Sequence, residues 1–138
     1  MRLSVPAATA GLVLVVGLSA CSSTDTTTQN EQYCTSATTL QTELTELTTM
    51  VAGGEATVND VEKQVTAVES AYRTALDQAE DVPDAVRSEI QSAYATFVKA
   101  VNAIPGTATV AEAADAYKAA VVAYEAELAK IRTEVGCK

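Results

Sequence analysis

From Tyr33 onward the apolar residues recur in alternating steps of three and four. The first run is Tyr33, Ala37, Leu40, Leu44, Leu47 and Val51. The second is Val58, Val61, Val65, Val68, Tyr72, Ala75 and Ala79, and the third is Val86, Ile90, Ala93, Phe97, Ala100 and Ile104. The fourth is Val110, Ala114, Tyr117, Val121, Tyr124, Leu128, Ile131 and Val135. Such spacing keeps one narrow apolar seam on one face of a helix. It predicts helices over about 32–52, 58–81, 83–104 and 110–135.

The residues between the runs are helix stops and starts. Gly53-Gly54 supplies the positive φ that ends a helix. Thr57 with Asp60 is placed to cap the second helix, and Thr109 with Glu112 forms a capping box for the fourth. Asp81 and Asp84, around Pro83, are expected to start the third, which Pro105-Gly106 stops. Connections this short join antiparallel neighbours. The expected fold is therefore all-α: an antiparallel up-down-up-down four-helix bundle over residues 32–138.

The residues before the first run are of another kind. Met1-Arg2 gives a positive start, and an apolar stretch runs from Val5 to Leu18. It is shorter than the roughly 20 residues a membrane-spanning helix needs. Small residues follow it without stop-transfer charges, which is the layout of a cleaved signal peptide over residues 1–20. Residues 22–31 are polar, with nothing to bury, and are expected to form a flexible tether. It would reach about 35 Å extended and roughly 17–19 Å relaxed.

The segment Leu18-Ser19-Ala20-Cys21 resembles the lipobox of bacterial lipoproteins, matching it at all four positions. The resemblance covers residues 1–21. It implies cleavage before Cys21, a diacylglycerol on the Cys21 sulfur, and a location on the extracytoplasmic face of a bacterial membrane. Two acyl chains suffice for stable anchoring, where one is marginal. Lipid on Cys21 leaves Cys34 and Cys137 of the three cysteines, and an exported pair is expected to be oxidised. An up-down bundle brings the start of helix 1 and the end of helix 4 together, so the fold and the disulfide are mutually consistent. A C-terminal Lys138, a lipid at the other end and heptads between them are similar to the murein lipoprotein family. There the terminal lysine joins peptidoglycan. That family is one continuous trimeric helix, however, and this chain breaks its helix with turns, so the linkage is not carried over to Lys138.

Charge and missing residues narrow the chemistry. The net charge of −9 becomes −10 once Arg2 leaves with the signal peptide. Phosphate backbones and anionic headgroups are repelled by such a surface, so nucleic acid is not an expected partner. No histidine is present, which removes Ser-His and Cys-His nucleophile pairs, the commonest general base and imidazole metal sites. Glu43 and Glu46 are neighbours on helix 1, and Glu125 and Glu127 face different ways on helix 4. Di-metal bundles need inward glutamates with Glu-x-x-His motifs, so neither metal nor cofactor is expected. Glu80, Asp81 and Asp84 cluster at one turn without an EF-hand pattern, as helix-starting acids do.

Three further features bear on packing or binding. Tyr72, Tyr117 and Tyr124 fall on the seams and could line a ligand pocket in an alanine-rich interior, with Tyr33 at the seam's end. Thr38, Thr42, Thr45 and Thr49 form an uncharged hydroxyl stripe on helix 1, as a docking, glycan-bearing or plain solvated face. Ala119, Ala120, Ala123 and Ala126 allow close approach of helix 4 to its own bundle. The functional expectation is a lipid-anchored, non-catalytic envelope module that binds a partner protein or supports an envelope complex. The alternative is a carrier of a small apolar or aromatic ligand in a tyrosine-lined interior.

Overall fold

The computed structural model describes the backbone of residues 24–138, and side chains from residue 30 onward. Cys21 and the expected signal peptide lie outside these residues. Four helices follow one another: α1 Thr24–Gly53, α2 Val58–Asp77, α3 Asp84–Asn102 and α4 Val110–Val135. They form a helical bundle cross-linked by a Cys34–Cys137 disulfide. Among the described residues no helix is long and apolar enough to cross a membrane.

The first helix begins at Thr24, not at 32, so most of the segment expected to be a tether is helical. Composition alone undervalued it. Adding turns to a helix that tertiary packing has already nucleated is far easier than starting one. The Asn30 amide also donates to the Val135 carbonyl at 3.3 Å, fastening this turn to the end of α4.

The Thr57 cap of α2 and the Thr109 capping box of α4 form as expected, and the α2 cap is also a full box. In each, the threonine hydroxyl accepts from the backbone N–H of the N3 acid, whose carboxylate accepts from the threonine N–H. Bonding to these N–H and hydroxyl groups holds the Asp60 and Glu112 carboxyls below their ordinary pKa. The expected Asp81 and Asp84 start to α3 is corrected. Pro83 occupies the N-cap position and offers no side-chain acceptor, and Asp84 is the first helical residue. Its charge can favour the helix dipole but does not cap. The second helix ends at Asp77, before the expected 81, yet Ala79 and Val82 stay buried and close the base of the core from within a turn.

Every seam residue of α1 is buried: Tyr33, Ala37, Leu40, Leu44 and Leu47 fully, and Val51 nearly so. This helix packs along α2 on one side and α4 on the other, while α3 packs along α4. Moving up α1 from Cys34 to Gln41 moves down α4 from Cys137 to Arg132, so these two helices are antiparallel. The short turns reverse the chain at each other junction, and the bundle is up-down-up-down. Its fourth interface is thin. The helices α2 and α3 touch little, so the molecule is two helical hairpins joined through α1 and α4 and parted along the remaining edge.

Candidate functional site

At the disulfide end, the cysteine Cα atoms stand 5.4 Å apart, within the range a disulfide spans without moving the backbone. A local turn aims Cys137 there. Gly136 takes φ of 83°, its N–H bonds the Thr133 carbonyl, and the Cys137 N–H bonds the Arg132 carbonyl at 2.8 Å. This is the Schellman ending. Gly136 directly follows the last seam residue, Val135, which is the signal that would have located it.

The expected tyrosines do not surround one cavity. Tyr124 is 2% exposed in the core. Its ring lies 5.2 Å from that of Phe97 and 6.2 Å from that of Tyr94. Tyr72 is half-buried and stacks on Tyr94, with centroids 3.7 Å apart and planes 7° from parallel. Tyr94 is the residue that seam counting missed, because it flanks the α3 seam. That seam faces α4, so α3 meets α2 with its flank, and the Tyr72–Tyr94 stack bridges the thin interface. Tyr117 belongs to none of these aromatic pairs and lines a separate cleft.

Burial sets the ionisation of the phenols. Desolvation pushes Tyr33 up to about 12, with Arg132 pulling slightly the other way. It raises Tyr124 further, helped by the neighbouring Tyr72, Tyr94 and Tyr33 phenols. The Tyr33 and Tyr124 hydroxyls are buried and find no hydrogen-bond partner among the described residues. These are neutral, inward-facing groups, suited to packing rather than to proton transfer at ordinary pH.

Two of the openings in the surface of the described residues bear on binding. A groove of about 350 Å³ runs between α3 and α4, floored by Ala93, Ala100, Ala120 and Ala123 and flanked by Glu89 and Glu127. A cleft of about 650 Å³ opens at the far end from the disulfide, between the start of α2, the end of α3 and the start of α4. Residues from three of the predicted seams meet there: Val58, Val65, Ile104 and Tyr117 all line it without being buried. Val58 is 50% exposed. The parting of α2 from α3 leaves these seam positions uncovered.

The alanines of α4 require a correction. Ala120 is buried, but Ala119, Ala123 and Ala126 are exposed, as is Val122 at 63%. They give α4 an outward uncharged face rather than a packing surface within the chain. The threonine stripe of α1 is exposed, and its hydroxyls are directed to their own helix. Thr38, Thr42, Thr45 and Thr49 each donate to the carbonyl four residues earlier. This back-bonding leaves methyl groups outward and spends the donors. Among the carboxylates, Glu43 accepts from the Gln64 amide at 2.8 Å and Glu127 pairs with Lys130 at 2.7 Å. No three acidic or cysteine side chains converge on a metal-sized point among the described residues. Lys138 is exposed beside the disulfide.

No family model, curated protein or solved structure matches this chain.

Proposed function

We propose that this chain is a lipid-anchored, non-catalytic module of the bacterial cell envelope that binds a partner protein or supports an envelope complex. The lipobox ending at Cys21 supports the location. The observation that carries the binding role is the outward face of α4, where Ala119, Val122, Ala123 and Ala126 present uncharged, slender side chains to solvent. A helix of a partner can approach such a surface closely, and the adjoining α3–α4 groove continues it inward. Glu89 and Glu127 at the groove's flanks, on a chain of net charge −10 after cleavage, favour a partner whose contacting rim is basic.

The test is photo-crosslinking in the native host. A photoreactive residue in place of Val122 is expected to give a discrete adduct, and one in place of the exposed Lys63 on α2 is not. Equal labelling from both positions would remove the argument for the α4 face. The anchor is checked separately: Cys21→Ser is expected to move the protein from the membrane to the soluble fraction. Retention on membranes would refute the lipid reading.

A small-ligand carrier is the second reading, favoured by the far-end cleft rather than by a cavity among Tyr72, Tyr117 and Tyr124.

A further inference from the structure

Seam positions exist to be covered. In α2 the seam residues Val61, Val68 and Ala75 are buried, while Val58 is half exposed and Val65 half covered. Ile104 at the end of the α3 seam and Tyr117 near the start of the α4 seam are also incompletely covered, and all face the same cleft of about 650 Å³. That volume is in the range of small-molecule sites. Val58, Val65 and Ile104 give the cleft an aliphatic part, and Thr66, Asn102 and Thr109 give it a polar part. Among the described residues its one ionisable carboxylate is Glu62, and neither lysine nor arginine lines it. Glu62 and Tyr117 line the cleft together, and burial first, then the Glu62 charge, raises the Tyr117 phenol above its ordinary pKa. An aromatic ring beside a carboxylate is a combination that attracts a cation.

We infer that the far-end cleft binds a small molecule with an aliphatic chain and a cationic head, the chain against Val58, Val65 and Ile104 and the head beside Glu62 and Tyr117. The charge of the site selects among occupants. A fatty acid or phosphate headgroup would meet Glu62 with no compensating cation, and a second copy of this chain would bring another strongly negative surface. The site lies away from the outward face of α4 and does not depend on the partner role proposed above.

The experiment titrates the full mature chain carrying Cys21→Ser with dodecyltrimethylammonium below its micelle concentration, read by calorimetry and native mass spectrometry. One-to-one saturable binding is expected, with dodecanoate at least about tenfold weaker. Glu62→Gln should weaken dodecyltrimethylammonium about fivefold, the scale of one exposed ion pair. Val65→Trp should abolish binding by filling the cleft, with helicity and melting retained. Val58→Trp, at the exposed mouth, repeats the test where packing is not at stake. Absence of saturable binding would overturn the inference, as would dodecanoate binding equally well or both tryptophan variants binding as the parent does. A concentration-dependent dimer dissociated by Val65→Trp would also overturn it, by assigning the cleft to self-association. None of these outcomes alters crosslinking from position 122, so the two proposals fail separately.

Discussion

Replacing Tyr124 by phenylalanine should stabilise this protein. The ring is 2% exposed and packed against Phe97 and Tyr94, and phenylalanine keeps those contacts. What it removes is a hydroxyl that is buried with no partner among the described residues. In the unfolded chain that hydroxyl bonds to water, so burying it alone costs about 1–3 kcal/mol. The void left by one oxygen, roughly 10 Å³ at about 24 cal/mol per Å³, returns only about 0.2 kcal/mol of that. The net expectation is a gain of about 1–3 kcal/mol, or a melting point higher by roughly 5–15 °C for a domain of this size. Thermal and urea unfolding followed by circular dichroism, under non-oxidising and non-reducing conditions alike for both proteins, measures it. A loss of 1 kcal/mol or more would refute the reasoning, because it would mean that the phenol is bonded in the native state. Tyr33→Phe offers an independent repeat, since Tyr33 is fully buried with the same orphaned hydroxyl.

Three other outcomes are expected. Cys34→Ala, or reduction, frees a loop closed over a sequence separation of 103 and should lower stability by about 4.7 kcal/mol in the chain-entropy model, seen as a fall in the urea midpoint; an unchanged midpoint would show that the cross-link does not stabilise the fold. Alkali should unfold the protein: burial raises the folded-state pKa of Tyr33 to about 12, so its contribution is whole below pH 10 and is lost as pH climbs toward 12. Tyrosinate absorbance and helicity should then change together, and ionisation of every tyrosine with helicity intact would contradict it. Thr109→Ala removes the hydroxyl that caps α4 and should cost about 1 kcal/mol, again by urea titration.

The helical content was legible because the seams are unambiguous where the chain covers its own apolar residues. On α1, each predicted seam residue from Tyr33 to Val51 is buried. The helix caps at Thr57 and Thr109 follow from residue types at fixed spacing, a rule that acts locally, whereas the disulfide follows by elimination among three cysteines. The missed features are long-range. Periodicity says which face of α2 is apolar but not that α3 turns its own seam to α4 and meets α2 through Tyr94. The outward alanines misled for a related reason: alanine suits both a tight interface and an exposed helix surface, and only the position of α3 decides between them. Asp81 and Asp84 had the composition of a helix start, but Pro83 took the cap position and its side chain accepts nothing. The tyrosines were placed on the right faces, and the parting of the hairpins then sent Tyr117 to one opening and Tyr124 to the core.

The bond between Cys34 and Cys137 also makes the folded part a covalent ring. A single proteolytic cut at the exposed turn around Gly54 or around Gly106 would open that ring without dividing it, and both pieces would travel together on a non-reducing gel. Whatever is attached ahead of α1 would stay joined to the whole bundle after such a nick. Separating the bundle from whatever precedes it by one cleavage therefore requires a cut before Cys34, outside the ring.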